Sequence, residues 1–191
     1  MNASSGEIGR LAKLLAAGGI AAVPTETYYG LAADPRSEAG VARIFDAKRR
    51  DGDKPLPVLF ATRRQLEELG ILAGALLDRY LNIWPAPLTV VLPLAEPIAA
   101  SRGTRTLAVR MPAARELLVL LESTGALTGT SANHSGDPPL SDPEEVAKTF
   151  GESLDLPVDG GSTPGGKPST LLDATVEPAA LLRAGAFPWP G

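Results

Sequence analysis

Apolar positions recur in two rhythms along the 191 residues. Ile8, Leu11, Leu14 and Leu15 keep the three-to-four spacing of one helix face, and Gly18-Gly19 closes the run. Ser4 and Glu7 stand at its start as a capping box. The apolar stretch 20–23 (IAAV) reads as a buried strand stopped at Pro24. A second helix opens at Ser37 or Glu38, turns Val41, Ile44 and Phe45 inward, and runs out over residues 48–50. Residues 55–61 (PLPVLFA) read as a fully buried strand. Thr62 and Gln65 cap a helix to about Gly70, and residues 72–84 form another, ended by Pro85 and Pro87.

The second half repeats this alternation. Residues 88–94 (LTVVLPL) and 106–111 (TLAVRM) are strands around a loop at 101–104. Residues 112–123 are helical with Leu117, Leu118 and Leu121 as the apolar face. Residues 126–133 (ALTGTSAN) run from a short strand into a polar turn. Ser141, Glu144 and Pro143 at the first helical position open a helix to Phe150. A short strand near 156–161, a glycine-rich loop, and the segments 169–175 and 180–185 follow. The tail after Arg183 reads as a surface extension. Helices alternating with apolar strands predict an α/β fold with a mixed, partly parallel sheet. One domain over 1–191, with its core at about 5–186, accommodates them.

Composition narrows the chemistry. The chain has no cysteine, which excludes a thiol nucleophile, a disulfide scaffold and Cys-ligated metal. Its one histidine, His134, excludes a multi-His metal site. The net charge of −4 argues against a broad nucleic-acid surface and leaves room for a local basic pocket. No apolar run reaches spanning length and the first residues lack a signal-peptide pattern, so a cytoplasmic protein without membrane association is expected.

Five polar clusters fall at strand ends, where α/β sheets place ligands. In 24–31 (PTETYYGL), Thr25, Thr27 and Tyr29 offer hydroxyls and a ring to a small polar ligand, or simply cap a turn. In 47–60, Lys48, Arg50 and Lys54 crowd a buried strand. On a continuing helix Lys48 and Arg50 diverge; on an extended segment they share a face suited to phosphate or carboxylate. A solvated basic turn paired with Asp51 and Asp53 is the alternative. Arg110 directly follows an apolar run and needs an anionic partner, internal or bound. Thr128, Thr130, Ser131, Asn133 and Ser135 leave backbone N–H groups free for an anion, or form an Asx turn. His134 among them reads as a surface residue. Residues 159–173 hold four glycines, Lys167, Ser169 and Thr170, without the Walker spacing. Together these groups suit phosphates and a carboxylate. They do not suit acyl-enzyme chemistry, which lacks a G-x-S-x-G or a histidine cluster here.

The order PTETYYGL, KRR…KPLPVLF, WPAPLTVVL, AVRMP, TSANHSG and PSTLLD…LLRAGA resembles the YrdC family over residues 23–186. Lys48-Arg49-Arg50 matches its Lys-x-Arg pattern and Ser131-Ala132-Asn133 its Ser-x-Asn pattern. The resemblance implies a twisted α/β sheet curled around a basic concave cavity. It implies a nucleotidyltransferase, threonylcarbamoyl-AMP synthase, that makes threonylcarbamoyl-AMP and pyrophosphate from L-threonine, bicarbonate or CO2, and ATP with Mg2+, for tRNA threonylcarbamoyladenosine modification. Downstream threonylcarbamoyl-transfer proteins are the implied partners, and direct tRNA binding is expected to be weak. On this reading Lys48 and Arg50 are catalytic. Thr25, Thr27, Tyr29 and Lys54 hold the threonine and carbamate end. Arg110, Thr130, Ser131, Asn133, Ser169, Thr170 and Arg183 contact ATP. No protein metal ligand is implied.

The chain departs from the pattern at Asp51-Gly52, where proline is usual, at His134, where an apolar residue is usual, and at Tyr28, where a smaller one is common. Its length resembles that of the short, single-domain members. A carbamoyl-adenylate-handling module of a larger carbamoyltransferase fits less well, lacking cysteine and length. An RNA- or tRNA-binding module without catalysis is the non-enzymatic alternative; 5% aromatic content and the negative net charge weigh against a stacking surface.

Overall fold

The computed structural model describes residues 5–50, 54–72, 74–156 and 160–190. The capping box at Ser4 and Glu7, the departure at Asp51-Gly52, and the expected strand at 156–161 fall wholly or partly outside them. Six α-helices are described: α1 (Ser5–Ala16), α2 (Glu38–Lys48), α3 (Arg63–Leu69), α4 (Ala75–Leu81), α5 (Arg115–Thr124) and α6 (Pro143–Phe150). Nine strands accompany them: β1 (Ala21–Pro24), β2 (Tyr29–Ala32), β3 (Val58–Leu59), β4 (Leu88–Pro93), β5 (Thr106–Arg110), β6 (Leu127–Thr128), β7 (Thr130–Ser131), β8 (Thr170–Asp173) and β9 (Ala180–Arg183).

The strands form two sheets rather than the single sheet expected. A three-stranded antiparallel sheet has the order β1-β2-β7, and a six-stranded mixed sheet the order β6-β3-β5-β4-β8-β9. In the larger sheet β3 runs parallel to β5 and β4 parallel to β8; the other pairs are antiparallel. The segment 127–131 leaves one sheet for the other at Gly129, between β6 on β3 and β7 on β2.

The β1–β2 hairpin explains why the sequence did not reveal β2. Ala21, Val23 and Ala32 face a core built with Leu15 of α1 and Leu117, Leu120 and Leu121 of α5. Ile20, Ala22, Tyr29, Leu31 and Ala33 face the main core. A strand buried on both faces shows no alternation, so the run Gly30-Leu31-Ala32-Ala33 carries no period-two signal.

Other boundaries shift for local reasons. The helix expected over 72–84 begins only at Ala75, because Gly74 at φ +90° lies in the left-handed region. The α5 helix begins at Arg115, after Met111 has accepted a bond from the Ala86 N–H, and it buries Leu120 rather than Leu118. Asp142, not Ser141, caps α6, accepting from the Glu144 and Glu145 N–H groups. The tail is not a surface extension. Phe187 and Trp189 pack against the main core, and the Ala186 N–H donates to Pro168 O at 2.8 Å. Among the described residues no helix is long and apolar enough to cross a membrane.

Candidate active site

The turn between β1 and β2 carries the sequence Thr25-Glu26-Thr27-Tyr28. The Thr25 hydroxyl donates to Tyr28 O at 2.7 Å and lies 3.0 Å from the Thr27 hydroxyl, and the Thr27 N–H donates to it. Both threonines therefore shape their own turn while lining a cavity of about 440 Å³. Tyr28, Tyr29, Thr89, Arg110, Ser169 and Arg183 line the same cavity. A smaller lobe of about 270 Å³ is lined by Lys48, Lys54, Asn133, Ser135 and Gly136. Arg50, Thr130 and Ser131 border both. The two-residue strand β7 thus stands between the lobes, delivered there by the crossover at Gly129.

Lys48 and Arg50 reach this place by neither of the two backbones considered from sequence. The α2 helix ends at Lys48, and Arg49 takes a left-handed conformation at φ +50°. The reversal sends Arg50 back, with its N–H on Phe45 O and its guanidinium over the Phe45 ring at 5.7 Å. The Lys48 side chain is 3% exposed. Its Nζ donates to Ser131 O, to Asn133 O at 2.8 Å and to Asn133 Oδ1 at 3.2 Å. Burial, reinforced by the Arg50 charge, pulls its ammonium down to about 8. Asn133 is equally occupied: Oδ1 also accepts from the Ser131 hydroxyl at 2.6 Å, and Nδ2 donates to His134 O and Asp137 O. Lys48 and Asn133 thus fix the 131–133 turn, and Arg50 is the cation common to both lobes.

On the far wall Ser169 and Thr89 share a hydroxyl bond of 2.8 Å, and Ser169 O receives the Arg183 Nη2 at 2.9 Å. Burial lowers the Arg50, Arg110 and Arg183 guanidinium groups from their ordinary value. The glycine-rich loop crosses beside this wall as a strap rather than a phosphate cradle. Tyr29 donates to Gly161 O and Tyr28 to Gly166 O, each at 2.6 Å, and the Gly165 N–H donates to Thr27 O.

The structure thus brings Thr25, Thr27, Tyr29, Lys48, Arg50, Lys54, Arg110, Thr130, Ser131, Asn133, Ser169 and Arg183 around two joined lobes. Thr170 is not on the walls. Its hydroxyl donates to Phe187 O at 2.6 Å and accepts from the Gly185 N–H, so it anchors the tail. His134 turns away to Ala47 O and the Phe150 ring. Sequence reasoning left Glu26 and Thr89 unassigned. Glu26 lies within the motif it singled out, as an acid flanked by two threonines. Nothing local marks Thr89, whose partner is 80 positions away.

The chain is similar to known proteins in sequence and in fold. Residues 13–185 match the Sua5/YciO/YrdC family model, whose description is telomere recombination. The chain is 42% identical over 178 residues to a threonylcarbamoyl-AMP synthase of Pyrococcus abyssi, covering 90% of this chain and 52% of that protein. It is 37% identical over 171 residues to one of Thiobacillus denitrificans, covering 87% and 89%. The crystal structure of P. abyssi Sua5 complexed with L-threonine superposes with a TM-score of 0.88 at 38% identity, covering 97% of this chain and 56% of that one. Escherichia coli YciO shares the fold, with a TM-score of 0.84 at 23% identity over 96% of this chain and 91% of its own. The chain spans about half the length of the synthases it matches from P. abyssi and Bacillus subtilis.

Proposed function

The chain belongs to the Sua5/YciO/YrdC family, and from that premise we propose that it is an L-threonylcarbamoyladenylate synthase. It joins L-threonine, bicarbonate or CO2, and ATP into threonylcarbamoyl-AMP and pyrophosphate. The observation that carries this reading is the pair of lobes meeting at Arg50, Thr130 and Ser131. The larger lobe sets hydroxyls beside Arg110 and Arg183, the smaller one sets Lys48 and Lys54 beside Asn133, and such a pair suits an amino acid held beside a triphosphate.

The reaction needs placement and charge neutralisation more than covalent catalysis. The threonine nitrogen, as the neutral amine, bonds to the carbon of CO2 and gives up a proton to solvent, which leaves a carbamate. A carbamate oxygen then bonds to the α-phosphorus, and the bond from that phosphorus to the bridging oxygen breaks to release pyrophosphate. Thr25, Thr27 and Tyr29 wall the amino-acid end. Arg50 faces both reactants and offsets the repulsion between carbamate and phosphate. Lys54 and the turn fixed by Lys48 and Asn133 receive the departing phosphates. Ser169 and Arg183 close the nucleotide side. Among the described residues no group of three acidic or histidine side chains converges on a metal position. Mg2+ enters on the ATP phosphates as part of the substrate, where it neutralises charge. The product feeds the threonylcarbamoylation of tRNA through separate transfer proteins.

Co-crystallisation with L-threonine and ATP tests the assignment of the lobes. The amino acid is expected against Thr25 and Thr27, with phosphates in the lobe lined by Lys54 and Asn133. Either ligand bound elsewhere on the molecule overturns it.

A further inference from the structure

We propose that Glu26 is a positioning residue of this site: its carboxylate lies behind Arg110 and turns that guanidinium toward an oxyanion in the larger lobe. The proposal rests on the functional reading above for the identity of the oxyanion, a carboxylate or a phosphate, and on geometry alone for the hold on Arg110.

Thr25 and Thr27 bond each other and their own turn on the cavity side. Glu26, between them, is not on the cavity wall. Its Oε1 lies 3.8 Å from the Arg110 Nε, with the two side chains 16% and 7% exposed. Both Glu26 oxygens and the Arg110 Nε are sealed from solvent, and none has a hydrogen-bond partner. Burial draws the Arg110 guanidinium down, and Glu26 pushes it back up against the added repulsion of Arg183.

A buried ion pair serving only the fold commonly closes to hydrogen-bond distance, often with two parallel N–H···O bonds. This one stops short. Three buried polar atoms remain unsatisfied at one place, a cost that native structures rarely carry without a reason. The reason follows from where Arg110 stands. It lines the cavity, and among the described residues no acceptor hydrogen-bonds its guanidinium. A guanidinium has two useful edges, and with Glu26 on the Nε side the forked Nη edge is left for a ligand. Carboxylate and phosphate are the bidentate acceptors that match this planar fork. β5 fixes the base of the side chain through its pairing with β3 and β4, so the carboxylate behind it settles the remaining freedom.

Nitrogen-15 NMR of the full chain reads this without turnover. The Arg110 Nε–Hε signal is assigned by its disappearance in Arg110→Lys. In the unsubstituted protein it is expected to exchange slowly with solvent and to shift on addition of an oxyanion. L-Threonine, ATP and inorganic pyrophosphate, titrated separately, tell a carboxylate from a phosphate. Glu26→Gln is expected to accelerate exchange at least tenfold and to weaken the ligand that moves the signal at least tenfold. The loss is expected to vanish in an Arg110→Lys background, since there is then no fork to orient. Glu26→Asp, which keeps the charge, recovers part of both effects and serves if the glutamine variant does not fold. Exchange and affinity within twofold of the unsubstituted protein in Glu26→Gln overturn the proposal, as does an equal loss in the Arg110→Lys background. If neither threonine nor ATP binds the unsubstituted chain, the functional reading fails, while pyrophosphate and the exchange rates still decide the role of Glu26.

Discussion

Lys48 has three N–H bonds, and three oxygens receive them: Ser131 O, Asn133 O and Asn133 Oδ1. The ammonium therefore acts on the site through the turn it pins. A neutral amine keeps two hydrogens and turns a lone pair on the third oxygen, so the turn loosens when Lys48 deprotonates. In the fold this happens near pH 8, chiefly because burial penalises the charge. In the unfolded chain a lysine titrates near 10.4. Between those values the unfolded state binds more protons, so the contribution of Lys48 to stability rises with pH there, and its penalty is full below about 8. The Lys48 Nζ resonance and the Ser131 and Asn133 amide resonances are expected to titrate together near pH 8. Over the same range to pH 10 the urea midpoint of the unsubstituted protein is expected to gain on that of Lys48→Met. A Lys48 midpoint above 10 contradicts this. The sequence marked Lys48, Asn133 and the hydroxyls of 25–27 as chemistry-bearing. It could not say that their first partners are one another or their own turn, because Lys48 and Ser131 are 83 positions apart. For the same reason it left open whether Arg110 faces an internal acid or a ligand; Glu26 stands on one side of it and the cavity on the other.

At the scale of elements, the site depends on a strand that changes sheets. Gly129 lies at that change, its N–H on Pro57 O at 2.8 Å. A methyl group at Gly129 would lie 2.3 Å from Leu59 Cγ and within 2.8 Å of both its methyls. Leu59 is held in the core beneath α5, so it cannot step aside freely. Gly129→Ala is expected to cost about 1–3 kcal/mol, as overpacking does. It is also expected to displace Thr130 and Ser131. A lowered urea midpoint with weakened L-threonine binding checks this, and an unchanged midpoint with unchanged binding contradicts it. Helices with amphipathic spacing and caps, such as α2 behind Ser37 and α3 behind Thr62, were legible in the sequence, as were the longer strands β4 and β5. The two-residue strands β3 and β6 fell within the stretches 55–61 and 126–133 read as strands, whereas the polar β7 fell in what read as a turn, since two polar residues carry no periodicity. The double burial of β2 hid it, and the apolar contacts of Phe187 and Trp189 lie with residues remote in sequence.

Across the whole molecule, an overall charge of −4 coexists with a cavity whose walls carry Lys48, Arg50, Lys54, Arg110 and Arg183. Those cations come from the end of α2, the approach to β3, the end of β5 and the end of β9. Folding thus concentrates positive charge in one hollow, and leaves the rest of the surface unsuited to a long nucleic acid. This is the physical basis for preferring a synthase to an RNA-binding module using the same basic cavity. The central claim is that the joined lobes bring threonine, a one-carbon acid and ATP into one reaction. Pyrophosphate release, measured with each substrate omitted in turn, tests it most directly. Release is expected only when L-threonine, bicarbonate and ATP are all present. Release that continues without threonine or bicarbonate, or its absence from the complete mixture, contradicts the account.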